Sequence, residues 1–354
     1  MAIYIRSSAC ISPQKTFGSD GFLNEPVGYN ATRLPAIQPD YSRFIDAKSI
    51  RRMSHVIKMG VAAAKECLDL SGIEMPGAVI TGTALGCLED TLTFMNRMIE
   101  MDEQMLPPTA FIQSTHNTVA AQIALMLKCH NYNNTFVHKG ISFESALIDA
   151  IMLLKEEEAN DILVGGVEEM TDASYKVLSR LGLFKRWPLS NFELFNTPTN
   201  GTIGGEGASF FVLSDKASEG NLAQFNGVET FYGLRGSTEI ETKINTFLLR
   251  HKVALDDIDL VITGRNGDVK NDAVYAQLNS SIFKSTSLAN YKHLCGEYPV
   301  STSFALWLAA NILKKQIVPE ITKEREVNTS APKKILIYNH YLNTYHSFLL
   351  ISVC

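Results

Sequence analysis

The chain has 354 residues, of which 45% are hydrophobic and 19% charged, and its 32 basic and 37 acidic residues give a formal net charge of −5. This apolar content excludes global disorder. The acidic balance argues against nucleic acid as the main partner, because phosphate binding needs a basic face. No run of eighteen apolar residues predicts a membrane span, and the first residues lack the pattern of a secretion signal.

The six cysteines form no Cys-x-x-Cys pair and have no histidine partners at zinc spacing. A cytoplasmic protein without a metal or other cofactor is therefore expected. Cys87 and Cys295 follow glycine-containing loops and could be reactive, but the interpretation as buried hydrophobic side chains is favoured.

Apolar periodicity predicts alternating helices and short buried strands. The predicted helices, in chain order, are 54–70, 143–156, 242–251 and 302–315. The predicted strands are 79–82, 162–164, 208–213, 261–264, 335–337 and 347–353. The runs 208–213 and 347–353 are expected to be hairpin or edge strands that close the two halves of the chain. Short apolar runs separated by helices are typical of βαβ units.

The chain also contains an internal repeat. Val-Ile-Thr-Gly occurs at 79–82 and again at 261–264. The segment Ile141-Ser-Phe-Glu-Ser-Ala-Leu147 resembles Val300-Ser-Thr-Ser-Phe-Ala-Leu306, and each opens a predicted helix that leads to a predicted strand. Because these similarities recur in the same order, they predict two similar α/β halves, 1–220 and 221–354, packed in layers.

Four motifs resemble those of the β-ketoacyl synthases of the thiolase superfamily. They are Pro108-Thr-Ala-Phe111 with Asn117-Thr-Val-Ala-Ala-Gln-Ile-Ala124, Ile162-Leu-Val-Gly-Gly-Val-Glu-Glu169, Asn200-Gly-Thr-Ile-Gly-Gly-Glu-Gly-Ala208 and Val261-Ile-Thr-Gly-Arg-Asn-Gly-Asp-Val-Lys-Asn-Asp272. The resemblance implies a thiolase-like α-β-α-β-α sandwich of two similar halves. It also implies a dimer that takes acyl groups from an acyl carrier protein and forms carbon–carbon bonds by decarboxylation.

The family's chemistry uses a cysteine nucleophile and two histidines. By the resemblance, the nucleophile position falls on Gly140, and the histidine of the His-Gly loop falls on Thr263. His293 and Gly296 match the third part of the site, which places the family's lysine, five residues before the histidine, at Leu288. The family's glycine-rich gating loop is replaced by Tyr341-Leu-Asn-Thr-Tyr-His346, so Leu342 is expected to line the pocket with His138 and Gly296.

Several side chains near the expected site have two interpretations. Ser142 could replace the nucleophile with His293 as its base, but the interpretation as a helix N-cap is favoured, since a serine nucleophile needs an adjacent base. His138 could face the pocket or end a strand. His293 could hold an acyl carbonyl or donate a structural hydrogen bond.

The leading hypothesis is a non-condensing subunit, similar to chain-length factors, that shapes an acyl tunnel beside an active synthase in fatty-acid, polyketide or polyene-type biosynthesis. The alternatives are an acyltransferase that uses Ser142 and His293, and a binding module for acyl chains or carrier proteins. Whether the chain is an enzyme stays open here, as does the choice between a homodimer and a heterodimer. Arg180, Lys185 and Arg186 are candidates for carrier-protein docking, and Met95, Met98, Met101 and Met105 are expected in the core or a dimer interface.

Overall fold

The computed structural model describes residues 1–18, 22–106, 108–327 and 331–354. The strands are β1 (Ile3–Ile11), β2 (Asn30–Ala31), β3 (Arg33–Leu34), β4 (Ala78–Gly82), β5 (Tyr132–Phe136), β6 (Asp161–Glu168), β7 (Leu189–Ser190), β8 (Gly204–Gly205), β9 (Gly207–Ser214), β10 (Ala223–Tyr232), β11 (Leu260–Thr263), β12 (Ser287–Asn290), β13 (Lys323–Arg325), β14 (Lys334–Tyr341) and β15 (Tyr345–Ser352). The helices are α1 (Ala47–Ile50), α2 (His55–Ser71), α3 (Leu88–Glu100), α4 (Pro108–Gln113), α5 (Thr118–Leu127), α6 (Ser142–Lys155), α7 (Asp172–Arg180), α8 (Gly236–Arg250), α9 (Val269–Ser280), α10 (Lys292–Cys295) and α11 (Thr302–Lys315).

The strands of the two halves follow one plan. Eleven of the fifteen strands in the described residues form one sheet, in the order β13-β12-β11-β14-β15-β10-β1-β9-β6-β4-β5, and the pairs β2-β7 and β3-β8 form two small sheets. In the first half β5, β4 and β6 are parallel, and β9 and β1 follow as antiparallel strands. In the second half β12, β11 and β14 are parallel, and β15 and β10 follow in the same way. The predicted pair of similar βαβ-rich halves is therefore confirmed.

Sequence similarity between the halves maps onto equivalent elements. The two Val-Ile-Thr-Gly segments lie in β4 and at the end of β11, and the two Ser-Phe segments open α6 and α11. The connection between the halves runs from β9 to β10, and the proposed boundary at 220/221 lies within it. These strands read as unbroken apolar runs because both faces of the parallel sheet are covered by helices.

Three large clusters of buried apolar side chains define the layers. The central cluster joins α6 and α11 to strands of both halves, including Leu213 and Ile337. A second cluster packs α2 and α5 on the other face of the first half-sheet. A third packs α8 and α9 on the other face of the second. The order of layers is thus α-β-α-β-α, as the resemblance implied.

The predicted strands 208–213 and 347–353 are not edge strands. β9 lies between β1 and β6, and β15 lies between β14 and β10. β1 covers the outer side of β9, and β10 covers the outer side of β15. Apolar periodicity alone does not predict which strands are neighbours. β15 does form a hairpin with β14, as expected. No helix in the described part of the chain is long and apolar enough to cross a membrane.

Candidate functional site

The turn between β5 and α6 lies where the two halves meet. Lys139 has a left-handed backbone with φ of 48°, and Gly140 follows it, buried, just before α6 begins at Ser142. The end of β14, from the second half of the chain, lies against this turn. A side-chain carbon built on Gly140 would lie 2.7 Å from Cγ and 2.9 Å from Cδ1 of Tyr341, and closer still to its Cβ. The position implied for the nucleophile is therefore in direct contact with Tyr341.

The loop after β11 is held by buried polar contacts. The Thr263 hydroxyl donates to Oδ1 of Asn290 at 2.6 Å. The Asp272 carboxylate accepts hydrogen bonds from the backbone N–H groups of Asn266 and Gly267, each at 2.8 Å. Burial raises the pKa of Asp272 to about 6, and these two bonds oppose the shift. The loop therefore has a fixed backbone, with Thr263 turned toward β12.

A buried ion pair occupies the segment between β12 and α11. The ammonium of Lys292 donates to Oε2 of Glu297 at 2.7 Å, and both side chains are almost fully buried. Asn266 donates to the same oxygen at 2.7 Å, while Oε1 of Glu297 has no hydrogen-bond partner among the described residues. Lys292 also reaches the backbone oxygen of His340, next to Tyr341, at 3.5 Å. This network therefore joins the β11 loop, α10 and β14.

A second buried carboxylate lies in the first turn of α6. Glu144 is fully buried and accepts a hydrogen bond from Ser347 of β15 at 2.7 Å. Burial raises the pKa of Glu144, since the charged form loses its hydration. The contact ties α6 of the first half to β15 of the second.

His293 points away from this network. Its Nε2 donates to the backbone oxygen of Ile321 at 2.9 Å, and its ring packs edge-on against Phe195. Burial lowers the pKa of His293 to about 4, so the ring is neutral at pH 7. The structure thus gives His293 the geometry of the second interpretation above, a hydrogen bond to a backbone carbonyl.

The other expected site residues are dispersed around the Gly140 turn. The buried Ser142 hydroxyl donates to the Lys139 oxygen and accepts from the His138 N–H, both at 2.8 Å. It therefore closes the turn that precedes α6, and Ile141 holds the N-cap position. The side chain of His138 is exposed, and Leu342 is a half-exposed residue of the β14–β15 turn.

Gly296 has a structural reason to be glycine. Its φ is 75°, and a side-chain carbon there would lie 2.6 Å from the Gly204 oxygen. This close approach packs the end of α10 against the Gly204-Gly205-Glu206 loop. Glu206 accepts backbone hydrogen bonds from Ala36 and Met170, and it also contacts His55.

The thiols give no sign of a displaced nucleophile. Five of the six cysteines are buried, and burial raises the pKa of Cys87 and of Cys295, which keeps both protonated. Within the ranges that the structure describes, no group of three or more His, Cys, Asp or Glu side chains could hold a metal ion.

Lys185 has a different role from the one expected. Its ammonium is buried and donates to the oxygens of Thr197, Thr199 and Gly267, at 2.7 to 3.4 Å. Lys185 thus fixes the loop after α7 to the β11 loop and is not part of a docking surface. Arg180 and Arg186 are exposed.

The sequence predicted no role for Tyr341, Glu297 or Lys292. For Lys292 and Glu297, their spacing in the sequence could have indicated a place in the site. Lys292 precedes Glu297 by five residues, which is the lysine–histidine spacing that the resemblance implies. The contact of Tyr341 with Gly140 joins positions far apart in the chain and has no local signal.

Comparisons with known proteins agree with this architecture. Residues 30–190 match the family model described as β-ketoacyl synthase, N-terminal domain. No curated protein matches the chain in sequence. The fold is that of the thiolase-like ketosynthases, and residues 30–190 are similar to the family's N-terminal domain.

Similar solved structures cover the whole chain. They include the ishigamide ketosynthase/chain length factor and a β-ketoacyl synthase from Burkholderia phymatum STM815, each with a TM-score of 0.80, 15% identity and coverage of 100% of this chain and 99% of the other. A third is AntDE:AntF, a type II PKS acyl-carrier protein in complex with its ketosynthase bound to the hexaketide, with a TM-score of 0.79, 12% identity and the same coverage. At this identity the likeness concerns the fold.

The buried ion pair generates a stability prediction. Glu297→Gln keeps the shape of the side chain but leaves the Lys292 charge buried without its counter-ion, so the free energy of unfolding should fall by about 3–5 kcal/mol. Lys292→Met combined with Glu297→Gln should recover much of that loss, as measured by urea unfolding. Glu320→Gln removes a surface partner of Lys323 and should cost far less. A double variant as unstable as the sum of the single variants would contradict this view.

His293 generates a pH prediction. Its pKa is lower in the folded chain than in the unfolded chain, so below about pH 6.5 the unfolded state binds more protons and stability falls toward pH 4. His293→Gln should reduce the loss of unfolding free energy between pH 7 and pH 4.5 by about 2 kcal/mol. Exposed His130→Gln serves as the control for removal of a histidine. An unchanged pH dependence in His293→Gln would contradict the assignment.

Proposed function

We propose that the chain is a non-condensing β-ketoacyl-synthase-like subunit, which pairs with an active ketosynthase and shapes the acyl tunnel of a fatty-acid, polyketide or polyene-type pathway. The observation that carries the proposal is Gly140. The resemblance implies a nucleophile there, and glycine has no atom that could hold an acyl group. The sequence has no cysteine between Cys129 and Cys295 that could take its place.

The histidine positions support the same proposal. The spacing of Lys292 and Glu297 indicates a register four residues later than the one based on His293, so that Glu297 takes the place of the histidine. The buried ion pair of Lys292 and Glu297, and the separate hydrogen bond of His293 to the Ile321 oxygen, support this register. A carboxylate accepts hydrogen bonds and cannot donate one to a developing enolate. With Thr263 at the other histidine position, none of the three catalytic side chains is retained.

A partner has an available face on the first half. β5 is an edge strand of the sheet, so no strand of the described chain lies on its outer side. Helices α3 to α5, with the segment between α3 and α4, expose several large apolar side chains, among them Met95, Ile99, Met105, Phe111, Ile112 and Leu125. Met95 and Met105 are thus on the surface and not in the core. An apolar face next to an open sheet edge favours a stable protein partner.

An active ketosynthase is the partner that this proposal favours. A subunit without a nucleophile contributes to condensation only if the other subunit supplies one, and the ishigamide protein is described as a ketosynthase/chain length factor. A homodimeric binding module and an acyltransferase that uses Ser142 are the competing functions. The second is less well supported, since the Ser142 hydroxyl is engaged by two backbone groups.

The partner prediction uses co-expression with the ketosynthase of the same biosynthetic system. We expect a stable heterodimer that is lost when Ile99 and Phe111 are both changed to Asp, because two buried charges would enter an apolar interface. Leu249→Asp, which changes an equally exposed apolar residue of α8, should leave the heterodimer intact. Size-exclusion chromatography with light scattering measures the outcome.

Intact-mass measurement after incubation with an acyl carrier protein thioester separates the functions. The acyl adduct should appear on the ketosynthase and not on this chain. An adduct on this chain that disappears in Ser142→Ala would establish the acyltransferase instead. A stable homodimer that does not bind the ketosynthase would establish the binding module.

A second surface fits the carrier protein. On α7, Lys176 and Arg180 are four residues apart, as are Val177 and Leu181, so each pair lies on one side of the helix. All four are exposed, and Trp187 beyond them is 79% exposed beside Arg186. Exposed apolar groups flanked by cations are complementary to an acidic protein, and carrier proteins are acidic.

Charge reversal tests this docking surface. Arg180→Glu with Arg186→Glu should weaken carrier-protein binding by the heterodimer about tenfold or more at low salt, with most of the change in the association rate. Lys284→Glu, an exposed basic residue of the second half, is the matched control. Surface plasmon resonance at two salt concentrations measures the effect. Equal affinities for the double variant and the control would contradict the assignment.

A further inference from the structure

We propose that Tyr341 is a steric plug that fills the vacated nucleophile position and keeps acyl groups out of this subunit's own site. The inference rests on the proposed function. It goes further because it couples two positions: residue 140 has no side chain, and Tyr341 fills the space where that side chain would lie. The acyl chain would then be confined to the thiol of the partner ketosynthase.

The first argument is why residue 140 is glycine. Its backbone does not have the left-handed φ that would require glycine. A side-chain carbon would instead collide with Cβ, Cγ and Cδ1 of Tyr341, at separations below the 3.0 Å that real contacts keep. Tyr341 is therefore the reason why position 140 accepts no side chain.

The second argument is that Tyr341 is held in place. It is the last residue of β14 and pairs with Tyr345 of β15, in a hairpin with regular register. The neighbouring His340 is buried, donates to the Asn271 oxygen and accepts from the Asn343 N–H at 3.1 Å. Because the closest atom to Gly140 is the Tyr341 Cβ, a change of rotamer cannot relieve the collision. The hairpin backbone itself would have to move.

The third argument concerns the space that the plug takes. Two ring atoms of Tyr341, Cγ and Cδ1, lie within 3 Å of the place that the first side-chain carbon of residue 140 would take. Burial and the nearby carboxylates of Glu297 and Glu168 raise the pKa of the Tyr341 hydroxyl, so the plug is neutral. An acyl chain would have to displace a packed aromatic ring to enter from this side.

The experiment restores the nucleophile with and without the plug. Gly140→Cys, Tyr341→Gly and the double variant are made in a Cys354→Ser background, which removes the exposed thiol. Each is incubated with octanoyl-pantetheine thioester or with iodoacetamide, and adducts are located by intact mass and peptide mapping. We expect residue 140 of the double variant to react at least tenfold faster than in Gly140→Cys alone.

Stability gives a second readout if Gly140→Cys folds poorly. In Gly140→Cys, the added substitution Tyr341→Gly should raise the melting temperature, because it relieves the collision. In the parent chain, Tyr341→Gly alone should lower the melting temperature. Tyr232→Gly, at the end of β10 and outside the β14–β15 hairpin, should rescue neither stability nor reactivity. Equal reactivity and equal melting temperatures for Gly140→Cys and the double variant would overturn the plug. That failure would leave the heterodimer result untouched, so the two proposals can be separated.

Discussion

The structure depends on the short antiparallel pairing that joins its two halves. β1 and β10 align through Ile3 with Phe225, Tyr4 with Gln224 and Ile5 with Ala223, and both strands carry an irregularity in their other pairings. Such bulges increase local twist. The sheets on either side can then enclose α6 and α11 in one core. That enclosure brings the start of α6 against the β14–β15 hairpin, so the site exists only because the halves are joined this way.

The helices and strands that could be predicted from the sequence are those with a periodic apolar pattern within one segment. Helices α2, α6 and α11 and strands β4, β6, β11 and β14 followed from apolar spacing, because each buries a continuous face. The duplication followed from two copies of Val-Ile-Thr-Gly. The edge or interior position of β9 and β15 did not follow, since it depends on which strand lies beside them. Lys185 resembled a surface cation because its acceptors are backbone oxygens from distant loops.

The site was harder to predict for two physical reasons. α10 has only four residues, too few for periodicity to fix the register between Leu288 and Glu297. His293, which the resemblance places in the pocket, donates to the backbone oxygen of Ile321. The Gly140–Tyr341 contact joins opposite halves, and nothing in either local sequence specifies it. Buried charges such as Glu144 and Lys292 are costly unless they are paired or hydrogen-bonded. The hydrogen bond between Ser347 and Glu144 joins the two halves, whereas the Lys292–Glu297 pair lies within the second half.

The open edge of β5 has a consequence for how the chain must be made. An uncovered β5 presents an open sheet edge beside exposed apolar side chains, and edges of this kind associate indiscriminately. Under the proposed heterodimer, production of the two subunits in matched amounts would keep this edge covered and limit such association.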